Sequence, residues 1–341
     1  MLVISKKSLL PLALAAAVAI AVPHSPAFAQ AAQGAQKNWK DRAEYDLYEQ
    51  ISKPDTTPAK RLELLNQWKE KYPSSDFADV RQGVYMTTYA QMGRAGDAIT
   101  AACEVLAKDA NNLQALSTTL TSVFSLQNGT PDQMGCAEKA AQQVVSNVDA
   151  LFGSDKKPAN VSDADWQAAK KNMHVLAQNA LGFIPWQRKD YEKAEAEFTK
   201  SLKLEPNQGQ VSYWMSVVMI AQKKPEKYSD ALWHWARAAS YDGPGSLNAQ
   251  GRAEVLKNFT ATYTTYHGSK EGIEKVLAEA KTAALPPSGW KIPSKVDIAK
   301  AGIEKEEEFK RQNPSLAMWK SLKEALTGTE NQLALARQAF N

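Results

Sequence analysis

The chain has 341 residues, of which 44% are hydrophobic and 23% are charged, proportions that are usual for a soluble globular protein. The formal charge is +4, and it becomes about +2 if a leader carrying Lys6 and Lys7 is removed. A balance this close to neutral excludes the strong basic signature of a protein that binds nucleic acid or an anionic membrane.

Residues 1–29 have the pattern of an export signal. Lys6 and Lys7 precede an apolar run from Leu9 to Val22, and Ala27-Phe28-Ala29 has the small residues of a cleavage site. The apolar run is shorter than the roughly 20 residues that span a bilayer. We therefore expect cleavage, a mature chain that begins near Gln30 with a lead-in to residue 41, and a periplasmic or secreted location. An uncleaved anchor is the alternative.

The clearest internal pattern lies in residues 175–208. Within about 34 residues this stretch carries, in order, Leu181-Gly182, Asp190-Tyr191, Ala194, Phe198 and Pro206. A glycine at Gly182 lets a second helix approach closely. Ala194 and Phe198 are four residues apart and share one helix face, while Pro206 ends that helix. The ordered set resembles a tetratricopeptide (TPR) repeat, which is a pair of helices joined by a turn.

Weaker versions of the pattern occur on both sides of this stretch, and no strand-like alternation stands out. The resemblance implies an all-α fold, a right-handed α-solenoid of about five or six TPR-like helix pairs. The expected units are residues 42–75, 79–112, 113–150, 163–208, 209–243 and 247–285.

The repeat pattern ends at residue 285. Residues 286–293 contain Gly289-Trp290 between prolines and indicate an extended linker. The C-terminal region, 294–341, is expected to form helices at Val296–Arg311, at Pro314–Leu326 and near Glu330–Phe340. These helices do not match the repeat, and they either cap the stack or occupy its groove.

TPR arrays bind peptides or proteins on a concave face that is lined by the first helix of each pair. Carried over by repeat position, the resemblance gives these candidate partner-binding residues: Thr87, Gln91, Thr121, Phe124, Asn179, Phe183, Trp186, Gln187, Gln210 and Tyr213. Phe183 and Trp186 are the expected aromatic anchors, because aromatic side chains dominate many interfaces. The alternative is that both are buried between units or beneath a C-terminal helix, as large aromatic residues often are.

The two cysteines fall in the second helices of adjacent expected units. Since adjacent second helices pack together in a TPR stack, Cys103 and Cys136 are close enough for a disulfide, and an exported protein permits one. Two buried free thiols are the alternative.

The sequence lacks a recognisable catalytic or metal-binding motif. The three histidines after the leader belong to different units, and no Cys-x-x-Cys or Gly-x-Ser-x-Gly motif is present. We therefore expect a non-enzymatic protein with no cofactor and no metal, which binds a protein or peptide in the cell envelope. Two alternatives are a carrier for a saccharide or lipid that uses the tryptophan-rich second half, and a purely structural scaffold.

Overall fold

The structure, a computed structural model, describes residues 37–327. Within that range the chain forms fourteen α-helices and no β-strand. The first eight are α1 (Arg42–Ser52), α2 (Pro58–Lys71), α3 (Ala78–Gln91), α4 (Ala95–Leu106), α5 (Leu113–Ser122), α6 (Pro131–Leu151), α7 (Asp163–Gln187) and α8 (Tyr191–Leu204). The others are α9 (Gly209–Ala221), α10 (Tyr228–Ser240), α11 (Ala249–His267), α12 (Ile273–Thr282), α13 (Lys295–Gln312) and α14 (Pro314–Thr327). The expected export signal and the helix expected near Glu330–Phe340 lie outside the described residues.

The first twelve helices follow one another as six pairs. Each of the six expected units contains one pair, from α1 and α2 in the first to α11 and α12 in the last. Most of the substantial helix-to-helix contacts join helices that are consecutive in sequence. The last pair is an exception, because α11 and α12 share no substantial contact and α12 packs on α10. Contacts between next-but-one helices join α3 to α5, α4 to α6, α5 to α7, α10 to α12 and α11 to α13. The fold is therefore all-α and built from contacts that are local in sequence.

Side-chain caps define where several helices begin. Thr130 and Gln133 form a reciprocal capping box at the start of α6, where Pro131 occupies the first turn. The side chain of Ser162 accepts a hydrogen bond from the backbone N–H of Asp165 and starts α7. Because these polar side chains satisfy free backbone N–H groups, the helix starts are encoded locally.

Three hydrophobic clusters follow one another along the chain. The N-terminal core surrounds Trp68, the middle core surrounds Leu116 and Leu120, and the C-terminal core surrounds Phe198 and Trp233. The buried apolar side chains are thus divided among three clusters that each draw on helices close in sequence.

Helix α10 is the most completely enclosed element of the C-terminal core. Its residues 231–239 are all buried, and it contacts α9, α11 and α12. The linker 286–293 packs against this helix: the backbone N–H of Ile292 donates to Ser229 Oγ at 2.8 Å, and the Trp290 ring meets the Trp233 ring edge-on at 4.7 Å. The linker is therefore part of the packed structure.

Helices α13 and α14, which we call the C-terminal helix pair, differ from the rest. A capping box of Ser294 and Asp297 starts α13, and only Asn313 separates the two helices. Every residue of α13 is exposed, and its substantial contacts are with α11 and α14. The described part of the C-terminal region thus does not bury an apolar face as a cap would. The end of the C-terminal core is closed instead by α12 and the buried side chain of Ile292.

Candidate interaction surface

Aromatic rings connect the first helices of three consecutive pairs. Phe124, just after α5, lies 5.2 Å from the Phe183 ring of α7 and 5.6 Å from the Trp214 ring of α9. Trp186 of α7 meets Phe183 edge-on at 5.7 Å, and Phe198 of α8 lies 5.6 Å from Trp214. We call these five residues the aromatic cluster. Such ring pairs contribute about 0.5–1.5 kcal/mol each beyond the burial of their area.

The members of the aromatic cluster differ in exposure. Phe183 is 7% exposed and lies in the C-terminal core. It is therefore a buried packing residue and not an exposed anchor. Trp186 and Phe124 are half-buried and rest against this core. The Trp186 indole is thus partly exposed and packs on the rings of Phe183 and Trp214. The Trp186 and Trp214 rings lie 6.1 Å apart.

Three other candidates are Gln187, which follows Trp186 in sequence, and Gln210 and Tyr213 on α9, the first helix of the next pair. Gln187 is exposed at the end of α7, and Gln210 and Tyr213 of α9 are half-buried. Burial raises the pKa of the Tyr213 phenol, and the carboxylate of Glu254 acts in the same direction. The Tyr213 hydroxyl therefore keeps its proton at neutral pH and can donate a hydrogen bond.

Asn179 is occupied within the fold. Its amide donates to Gln208 Oε1 at 2.8 Å, and its carbonyl oxygen accepts the hydroxyl of Ser201. Gln208 in turn donates to the backbone oxygen of Glu205 at 2.8 Å. This network ties α7 to α8 and to the turn before α9, so Asn179 has a structural role. The repeat resemblance predicted that Asn179 lies on the concave face, but the sequence did not predict these hydrogen-bond partners.

The candidates nearer the N-terminus also have partners inside the chain. The hydroxyls of Thr87 and Thr121 donate to carbonyl oxygens of their own helices, to Val84 at 3.1 Å and to Ser117 at 2.8 Å. Gln91 accepts a hydrogen bond from Arg61 at 2.8 Å. Among all ten candidates, the structure joins Phe124, Phe183 and Trp186 by direct ring contact.

The two cysteines form a disulfide between second helices. Cys103 on α4 and Cys136 on α6 have an S–S distance of 2.04 Å and a Cα–Cα distance of 6.3 Å. This is the pairing expected from the repeat positions. Because 33 residues separate the two cysteines, the bridge is expected to contribute about 3 kcal/mol by restricting the unfolded chain.

A separate open cleft of about 740 Å³ lies between the start of α10, the end of α11 and the start of α13. Its lining includes Tyr228, Tyr266, Lys291, Ile292, Pro293 and Val296. No tryptophan lines this cleft. Trp214, Trp233 and Trp235 are all buried in the C-terminal core, so they do not form the tryptophan-rich surface that a saccharide or lipid carrier would use.

The apolar surface of the C-terminal helix pair was not among the predicted sites. Seven large apolar side chains there are exposed: Val296, Ile298, Ile303, Phe309, Leu316, Met318 and Trp319. The sequence could have indicated this surface, because its apolar residues lie outside the repeat pattern and are not accompanied by the marker residues that bury a repeat helix.

Residues 37–327 contain no group of three or more His, Cys, Asp or Glu side chains arranged to hold a metal ion. No helix in the same range is both long and apolar enough to cross a membrane. Comparisons with protein-family models, with curated proteins and with solved structures find no match to this chain.

Proposed function

We propose that this protein is an exported, non-enzymatic TPR-like protein that binds a protein or peptide in the cell envelope. The observation that carries the proposal is the aromatic cluster, which joins the first helices of three consecutive pairs and leaves the Trp186 indole accessible. In an array of this kind the first helices provide the binding face. Export rests on the signal-like residues 1–29 of the sequence.

We also infer that the six helix pairs continue as a right-handed α-solenoid. Support comes from the contacts between next-but-one helices, which occur between first helices (α3 with α5, α5 with α7) and between second helices (α4 with α6, α10 with α12). Stacked pairs make contacts of both kinds. The resulting first-helix side would present Trp186, Gln187 and Tyr213 together.

Binding at this surface needs no large rearrangement. Trp186 stands on the buried rings of Phe183 and Trp214, so little side-chain freedom is lost when a partner covers it. Gln187, the next residue in sequence, and the Tyr213 hydroxyl on the following first helix would supply hydrogen bonds to the same partner. A partner segment with an apolar side chain for Trp186 and free backbone groups for these two residues fits this arrangement.

The test is affinity capture from the envelope fraction of the source cell. The mature chain, Trp186→Ala and a control variant, Leu256→Ala, are immobilised after circular dichroism has shown equal helix content. Leu256 is an exposed apolar residue of α11, outside the aromatic cluster. We expect Trp186→Ala to lose a protein that the other two retain, with affinity reduced at least about tenfold, as for an interface anchor. Identical captured proteins from all three chains would refute the assignment of this surface.

A further inference from the structure

The exposed apolar surface of the C-terminal helix pair requires an explanation. Its seven large apolar side chains are between 38 and 64% exposed. In the rest of the described chain only Met92 and Leu256 are exposed large apolar residues, at 37 and 40%. Concentration of such residues on two consecutive helices is typical of an interaction site, whereas scattered single residues are normal.

Local interactions alone account poorly for α13. The helix has a capping box and ion pairs one turn apart, such as Lys310 with Glu306 at 2.8 Å. Exposed pairs of this kind contribute little to helix stability, because water and salt screen the charges. Most helices in proteins are stabilised by packing of an apolar face, and α13 buries no side chain in the described structure. Another surface is therefore needed to cover it.

The size of the apolar surface matches a protein interface. If each of the seven side chains offers roughly 100 Å², the helix pair presents about 700 Å², close to the ~800 Å² per partner of a standard interface. Trp319, which is 62% exposed, is the kind of large aromatic residue that anchors such interfaces.

The charges on α13 indicate what kind of partner fits. The helix carries five basic residues (Lys295, Lys300, Lys305, Lys310 and Arg311) and five acidic residues (Asp297, Glu304, Glu306, Glu307 and Glu308). A surface with equal numbers of both signs is not repelled by its own copy, and it does not select a strongly charged partner. In a twofold-symmetric contact the same patch of each copy faces the other, so each copy covers the apolar side chains of its partner.

We propose that the C-terminal helix pair docks on the same helix pair of a second copy and forms a twofold-symmetric helical dimer. Each copy then covers the apolar side chains of the other. The aromatic cluster lies just after α5 and on α7, α8 and α9 and takes no part in this contact, so the dimer does not depend on the proposed partner binding.

Sedimentation of the mature chain over about 0.1–100 µM tests the dimer, because this range brackets micromolar dissociation constants. The test variant is Ile303→Glu with Trp319→Glu. The matched control is Met92→Glu with Leu256→Glu, which replaces the same number of exposed apolar residues and adds the same charge elsewhere. We expect a dimer for the wild type and the control, and a dissociation constant raised at least about 100-fold in the test variant.

Hydrogen exchange of α13 in the same samples distinguishes the other occupants. A dimer predicts that protection of α13 falls as the wild-type chain is diluted. A monomer with α13 protected at every concentration would show that the chain's own residues cover the helix, and would overturn the proposal. A monomer with rapid exchange in α13, or a dimer that persists in the test variant, would overturn it as well.

Discussion

His234 is an ionisable side chain that the fold keeps away from both water and counter-charges. It lies in the enclosed helix α10 at 1% exposure, and its Nδ1 atom has no hydrogen-bond partner among the described residues. Burial lowers the pKa of the imidazole from 6.5 to about 3, because the charged form would lose its hydration. The ring is therefore neutral in the folded protein at ordinary pH.

This burial makes folding sensitive to acid. Between pH 6.5 and about 3 the unfolded chain binds a proton at His234 and the folded chain does not, so acid favours unfolding. We expect the unfolding free energy to rise with pH across this window, with a contribution of up to about 1.4 kcal/mol per pH unit. His234→Leu removes that contribution, which denaturant titrations at several pH values measure.

The control for this prediction is His267→Leu. That imidazole is only half-buried at the end of α11, where Nδ1 lies 2.9 Å from the backbone oxygen of Pro293. Its replacement should leave the steep acid dependence in place. Parallel pH curves for the wild type and His234→Leu would contradict the assignment to His234.

At the scale of helices, the crossing of α7 and α8 depends on the missing side chain of Gly182. A Cβ atom there would lie 2.4 Å from Cδ1 of the Phe198 ring, which is fully buried and cannot move aside cheaply. Alanine is the better helix former by roughly 1 kcal/mol, but overpacking a core costs typically 1–3 kcal/mol. We expect the overpacking cost to exceed the propensity gain, so that Gly182→Ala lowers the unfolding free energy by up to about 2 kcal/mol in denaturant melts.

A second helical glycine supplies the matched control. Gly83 in α3 has open space where a Cβ would stand, with no atom within 4 Å. Gly83→Ala should therefore stabilise the protein by about 0.5–1 kcal/mol through helix propensity alone. Equal changes in unfolding free energy for the two variants would show that the α7–α8 crossing does not require glycine.

The helices could be placed from sequence because their signals are local. Ser294 with Asp297 starts α13, and Pro314 starts α14, so the expected ranges differ from the structure by at most one residue at each end. Which aromatic residue is buried could not be placed this way. Phe183 and Trp186 are three residues apart and lie on the same side of α7. Phe183 is the inner one because its ring contacts both Phe124 of the preceding pair and Trp214 of the next pair, which are distant in sequence.

At the scale of the whole molecule, the helix contacts are local in sequence, so a core substitution is expected to destabilise only the helices near it. Trp68 is fully buried in the N-terminal core, where its indole donates to Glu44 at 2.8 Å, and Trp233 is buried in the C-terminal core. Replacement of either by alanine should cost about 3–5 kcal/mol in its own region. Hydrogen exchange should then rise in α1–α4 for Trp68→Ala and in α9–α12 for Trp233→Ala.

The two variants serve as controls for each other. In a stack of pairs, a lost contact weakens its neighbours and leaves distant pairs protected. A rise in exchange along all twelve helices of the array in both variants would instead indicate one cooperative globule, and it would contradict the solenoid inferred above.

The bridge between Cys103 and Cys136 also restricts how the array can bend. It fixes the spacing of α4 and α6, the second helices of two neighbouring pairs, while α3 and α5 on the other side carry no covalent link. In the proposed solenoid, a change in curvature at this junction would therefore pivot about the bridged edge, and the displacement would fall on the first helices. The covalent bond would then set a hinge axis, and the side proposed to hold a partner would be the side that opens or closes.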